Sequence, residues 1–365
     1  MVNRTYACIL DVTERCNLKC RMCYFSSTDR IRFPPFDRSP STNGLMSLDL
    51  FERIASEFFP QSTHVALACA AEPMVHPKFG NILDVAGRYH VPDLWFPTNL
   101  LPLTENTAEA IVDAGVRTVA VSVDASTQQT YEKIRAGARF DRLLSRLELL
   151  KTVRARRNSK LPRLRFVFTW MRSNRRELQD FPGFAAMQGA DEIDVRFVTP
   201  TVGVDLRSEL LTDEPVATLQ TELVSAAETA TKLGLRLAAY PEIARRATGS
   251  PSRLDFLKNR WNRFQTGTEG LDYWRHFLRE QLRGCAFPDH TWVIRPNGSV
   301  LPCMWWINEP IGFFPDENLA SISTGLALAR IRQGLSCGKP VGSCTGCTQR
   351  RSRFYEPLLE FSGSG

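Results

Sequence analysis

Cys16, Cys20 and Cys23 stand at the spacing C-x3-C-x2-C within Cys16-Asn17-Leu18-Lys19-Cys20-Arg21-Met22-Cys23. Three thiolates so spaced can grip one face of a [4Fe–4S] cube. A cube normally takes four thiolates, so one iron is left without a protein ligand and open to a small molecule. Zinc is the competing reading, but structural zinc sites pair two such knuckles and no second one follows closely. Lys19 and Arg21 suit an exposed loop better than a core. A second set of thiols lies far along the chain at Cys285, Cys303, Cys337, Cys344 and Cys347, the last two as C-x2-C. A hairpin with C-x2-C can hold zinc or an iron–sulfur cluster. Cys8 and Cys69 end up in apolar runs and read as small buried hydrophobes.

Something must position these loops. Tyr6–Val12 is a short apolar run that reads as a buried strand delivering the first cysteine loop. Further strands are expected at His64–Ala68, Asp93–Phe96, Val116–Val123, Leu164–Met171 and Ile193–Val198, with Leu235–Ala239 as one more. Helical patterns lie between them. Ser47 can cap one with apolar face Leu50, Phe51, Ile54 and Phe58, Thr107–Ala114 stops at Gly115, and Thr212 begins another with Asp213-Glu214-Pro215 in its first turn. Strands alternating with helices at this spacing predict parallel βαβ units, with function-bearing loops at the strand carboxyl ends. Near the far end, Thr291–Arg295 and Ser299–Pro302 flank Asn297-Gly298, a strong hairpin signal.

Composition narrows the class. The chain has 365 residues, 43% hydrophobic and 23% charged, with a net charge of +7. That suits one large domain and a smaller one in a globular protein. No apolar run reaches the length of a membrane span, and Ala7–Val12 is too short for a signal peptide. Ten clustered cysteines favour metal ligation in a reducing cytoplasm over a disulfide framework. The basic balance permits an anionic partner, but it is spread through Arg-rich helices, which makes nucleic acid an unlikely target. Residues 251–283 interleave Trp261, Phe264, Tyr273, Trp274 and Phe277 with charge, and read as helical segments packed on the main domain.

The C-x3-C-x2-C loop resembles that of radical S-adenosylmethionine (SAM) enzymes, in which SAM caps the open iron. Ala70-Ala71-Glu72-Pro73 is similar to the family's Gly-Gly-Glu-Pro, with alanines in place of the glycines. Pro97-Thr98-Asn99 is similar to its Thr-Asn-Gly turn, and Ser122-Val123-Asp124-Ala125 to its Ser-hydrophobic-Asp-Gly. Tyr131-Glu132-Lys133-Ile134-Arg135 also matches, though an amphipathic surface helix explains it equally well. The resemblance implies an α/β fold, a partial (β/α)6 barrel over residues 1–205. It implies that Cys16, Cys20 and Cys23 bind a [4Fe–4S] cluster, and that Met22, Tyr24, Ala71, Glu72, Thr98, Asn99, Ser122 or Asp124, and Arg172 hold SAM. Glu72 would take the amino group, Ser122 or Asp124 the ribose, and Arg172 the carboxylate.

The region 284–365, including Gly298-x4-Cys303, resembles the SPASM/twitch extension of the same enzymes, with 206–283 as a linker. Five cysteines imply its one-cluster form: an auxiliary [4Fe–4S] cluster on Cys285, Cys303, Cys344 and Cys347. Cys337 is then left over as a hydrogen donor, or replaces one of the four. Such enzymes take reducing electrons from a flavodoxin or ferredoxin. The expected substrate is a saccharide or aminocyclitol, epimerised with Cys337 as donor. The alternatives are dehydrogenation through the auxiliary cluster, radical modification of a peptide, and, from another class, a zinc-bound nucleic-acid module. The barrel pattern begins at once, which counts mildly against a peptide.

Overall fold

The computed structural model describes residues 6–23, 43–69, 71–198, 204–239, 285, 287–345, 347 and 359–361. Strands and helices alternate as β1 (Tyr6–Leu10), α1 (Leu48–Phe58), β2 (Ser62–Ala66), α2 (Phe79–Gly87), β3 (Asp93–Thr98), α3 (Glu105–Asp113) and β4 (Thr118–Ser122). Then come α4 (Gln128–Ile134), α5 (Phe140–Arg156), β5 (Arg163–Trp170), α6 (Phe181–Met187), β6 (Glu192–Phe197), α7 (Val216–Lys232) and β7 (Arg236–Ala239). Strands β1 to β7 pair in sequence order, each parallel to the last. This is the α/β barrel-type core expected from the alternation.

Local chemistry explains the helices. Ser47 accepts a hydrogen bond from Leu50 N at the start of α1, and Phe51, Ile54, Ala55 and Phe58 fall on one buried face. Thr104 and Thr127 cap α3 and α4 in the same way. The helix expected from Thr212 starts later, at Val216 after Pro215. Asp213 and Glu214 lie before it, paired with Arg172. Along the strands Val119, Val121, Phe166, Phe168, Ile193 and Val195 enter one continuous core. Alternation turns Ser122, Val167, Thr169, Asp194 and Arg196 to the opposite face.

Two features extend the sheet beyond the six strands of the expected barrel. β7 adds a parallel strand beside β6, within the segment read as a linker. The hairpin β8 (Thr291–Ile294) and β9 (Ser299–Leu301) forms as its Asn-Gly turn predicts, and β8 then pairs parallel with β1. Strands β10 (Gly312–Phe313) and β11 (Leu359–Phe361) pair antiparallel at the two ends. Open edges carry unpaired backbone groups, and these additions cover them. The hairpin is also welded on by side chains. Trp292 is fully buried, 5.7 Å from the ring of Tyr6 and 6.5 Å from Phe58, and Phe58 meets Phe314 edge-on at 5.4 Å. Asp11, beyond β1, forms a buried ion pair with Arg295, beyond β8. No helix among the described residues is long and apolar enough to cross a membrane.

Candidate active site

The first cysteine loop leaves β1 at the carboxyl ends of the strands and is pinned from three sides. Its stem is clamped by residues 43–46: Met46 N donates to Val12 O and Glu14 N to Gly44 O. On the second side, Lys19 N donates to Ala136 O at 3.0 Å and Arg21 N to Ile134 O at 2.9 Å. This segment just after α4 therefore runs beside the loop. Gly137 supplies the turn that follows, at φ +92°, a backbone conformation in which any Cβ is strained. On the third side, Arg21 pairs with the buried Glu209 at 3.1 Å. Cys20 is buried, and Cys16 and Cys23 are partly buried. Burial raises the thiol pKa of Cys16 to about 11 and also raises that of Cys20.

Glu72 stands against this loop, its N–H donating to Arg15 O at 3.1 Å. Its carboxylate accepts from Thr98 Oγ1 at 2.8 Å, Asn99 N at 2.7 Å and Met74 N at 3.2 Å. Asn99 in turn donates from its side chain to Asn17 Oδ1 at 2.9 Å, tying the β3 turn to the cysteine loop. Burial pushes Glu72 up to about 7, against the three hydrogen bonds that favour its charged form. A carboxylate has about four acceptor positions, so three bonds leave one for an incoming donor. Ala71 is buried beside it, where a small side chain permits close approach. Met22 packs against Ile134, Met171, Val198 and Leu206 at the same end of the sheet. Tyr24 lies outside the described residues.

Two of the expected SAM contacts on the later strands already have partners within the chain. Asp124 is fully buried and its carboxylate is already engaged. One oxygen accepts from Arg135 Nη2 at 2.5 Å and the other from Thr169 N at 2.7 Å. Ser122, ending β4, makes no side-chain hydrogen bond among the described residues and is the better of the two for a ribose hydroxyl. Arg172 does not face the loop with a spare guanidinium. It bonds Glu214 at 2.9 Å, Leu210 O at 3.0 Å and Asp213. A buried cation does meet the loop's sulfur: Arg135, whose Nη1 lies 3.7 Å from Cys20 Sγ. The sequence hint was the position of Arg135 just past a helix that matched the family; an amphipathic reading of that helix hid it.

At the second set of thiols, burial pushes Cys303 up to about 12, and Cys285, Cys344 and Cys347 lie near enough to disfavour its ionisation further. Cys344 is buried at the end of a 3-10 turn, Gly342–Cys344. Cys337 differs from these in exposure. It is exposed at the carboxyl end of the helix Leu326–Ser336, its N–H bonded to Gln333 O. Cys8 is fully buried in β1. Cys69 packs partly buried against the core, with its N–H on Asp11 Oδ1 at 2.7 Å. Among the described residues no three His, Cys, Asp or Glu side chains converge on a point suited to a single metal ion. Thiols distributed around a polynuclear cluster need no such convergence.

Fold and site together define a class. Residues 10–160 match the model of the radical SAM superfamily. The chain carries a radical SAM domain. It is 26% identical over 126 residues to GTP 3',8-cyclase of Microcystis aeruginosa, an alignment covering 34% of this chain and 36% of that one. The chain thus spans well under half the length of that relative. SuiB of Streptococcus suis, solved with S-adenosylmethionine, superposes with a TM-score of 0.63 at 15% identity, over 96% of this chain and 72% of SuiB. Native anSMEcpe with bound AdoMet gives 0.57 at 13% identity, over 94% and 87%. At those identities the likeness is one of fold.

Proposed function

We propose that Cys16, Cys20 and Cys23 hold a [4Fe–4S] cluster with SAM at its open iron, and that the protein oxidises a carbinol C–H of a saccharide or aminocyclitol. What carries the reading is the C-x3-C-x2-C loop tied through Asn17 to the Thr98–Asn99 turn that orients Glu72, whose carboxylate has one acceptor position to spare. When bound, the cluster and SAM supply a 5′-deoxyadenosyl radical by one-electron cleavage, strong enough to take hydrogen from an unactivated C–H bond. The chain's own residues do the rest by positioning. Glu72 accepts the SAM ammonium, Ser122 meets the ribose, and Met22 and Ala71 shape the apolar wall. Thr169, Asp194 and Arg196, on the sheet face away from the helix-packed core, are suited to orienting a hydroxyl- or amine-bearing substrate.

Cys285, Cys303, Cys344 and Cys347 would hold a second cluster, which would supply an acceptor for the electron released when a carbinol radical also loses its hydroxyl proton to solvent and becomes a carbonyl. The exposure of Cys337 favours dehydrogenation over an epimerisation that would need its thiol against the substrate. A flavodoxin or ferredoxin would supply the first electron. A peptide substrate is the second reading, because SuiB was also solved with its precursor peptide. Anaerobic incubation with candidate aminocyclitols, saccharides and peptides, read by mass spectrometry, tests both. Oxidation yields a product lighter by two hydrogens, whereas an epimer that gains one deuterium in deuterated buffer would overturn it.

A further inference from the structure

We propose that Arg135, held by Asp124 and seconded by Tyr131, is a positioning residue that donates to sulfur at Cys20 and sets the reduction potential of the cluster on that loop. The inference rests on the cluster reading above and goes beyond it.

The placement comes from the backbone. Lys19 N and Arg21 N bond the carbonyls of Ala136 and Ile134, so Cys20 on one strand of this contact lies opposite Arg135 on the other. The guanidinium is 8% exposed, reaches Cys20 Sγ at 3.7 Å through Nη1, and is braced at 2.5 Å by a carboxylate that is 0% exposed. Asp124 cannot swing away, because Thr169 N holds its second oxygen and Asn174 Nδ2 its carbonyl. Among the described residues two donors in this pocket have no acceptor: Arg135 Nε and the Tyr131 hydroxyl, both fully enclosed. Leaving a buried donor unmet is costly, about 1–3 kcal/mol each. Two such donors beside one buried thiol suit an environment in which sulfur accepts from several directions.

Hydrogen bonds to cluster sulfurs and nearby charge set the potential of iron–sulfur centres. Reduction adds an electron, so a cation near sulfur favours the reduced state and an anion disfavours it. Arg135 and Asp124 therefore act in opposite directions, with Arg135 the nearer. That opposition separates the proposal from a merely structural role.

The test is a redox titration of the anaerobically reconstituted full chain, following the EPR signal that changes when SAM is added. Arg135→Gln should move the midpoint to more negative potential, and Tyr131→Phe should do so by less. Asp124→Asn should move it to more positive potential, and Arg135→Lys should stay near wild type. Midpoints of Arg135→Gln and Asp124→Asn that match wild type with iron retained would overturn the proposal. If Arg135→Gln loses iron, Tyr131→Phe and Asp124→Asn decide, and unchanged or same-direction shifts overturn it. A wild type without any SAM-responsive signal defeats the cluster reading instead.

Discussion

Glu72 is a carboxylate whose neighbours are all donors, which makes its replacement informative. In Glu72→Gln the side-chain NH2 must face Asn99 N–H or Met74 N–H, setting donor against donor. The expected loss is about 1–3 kcal/mol of stability, from a broken buried hydrogen bond. SAM affinity should fall by ten- to a hundredfold, about the worth of a hydrogen bond to a charged group. Thermal unfolding and equilibrium dialysis with labelled SAM check the two effects. Wild-type affinity would remove Glu72 from the SAM site. His76 shows a similar constraint nearby: Nε2 donates to Met46 O at 2.9 Å and Nδ1 accepts from Lys78 N at 3.1 Å. Protonating Nδ1 would set N–H against N–H, and burial already lowers its pKa below the ordinary value. Because the folded pKa is depressed, its contribution to stability is present above pH about 6.5 and is lost as pH falls. His76→Gln should flatten that acid limb of the stability–pH curve; an unchanged limb would contradict the assignment.

At the scale of elements, the turn between β8 and β9 is the most sharply specified. Gly298 sits at φ +81°, and a Cβ there would meet Phe314 O at 1.9 Å. Gly298→Ala combines overpacking with a left-handed penalty, about 3 kcal/mol or more. It should displace Cys303 and lower the iron retained at the second set of thiols, measured as iron per chain; full iron content would show that the turn does not position Cys303. This hairpin was legible in the sequence because Asn-Gly is a local signal. Its pairing with β1 was not, since a hairpin carries no local mark of which sheet edge it joins. Arg135 was missed for the same reason. Its partner Cys20 is 115 residues away, and only backbone bonds from the cysteine loop reveal the meeting. Arg172 was chosen from its place at a strand end, but the sequence could not tell that Asp213 and Glu214 fold across to neutralise it. Cys337 was singled out by counting thiols, and counting says nothing about burial.

For the whole molecule, the question is how the two sets of thiols are held in one frame. β1 leads into the first loop, and the hairpin whose second strand, β9, leads into Cys303 joins β1 through β8, with the buried Asp11–Arg295 pair linking the ends of β1 and β8. Breaking a buried pair by removing one partner costs about 3–5 kcal/mol. Asp11→Asn should lower the unfolding free energy by that order in denaturant titration. A change below about 1 kcal/mol, typical of an exposed pair, would show that this link is not structural. The central claim is that Cys16, Cys20 and Cys23 hold the centre that cleaves SAM. Its most direct test is the yield of 5′-deoxyadenosine from SAM under reducing, anaerobic conditions, compared between wild type and the Cys16→Ala, Cys20→Ala, Cys23→Ala triple variant. Wild type should give product and the variant none, while the variant keeps about four of eight irons by cube stoichiometry. Continued 5′-deoxyadenosine formation by the triple variant would contradict that claim.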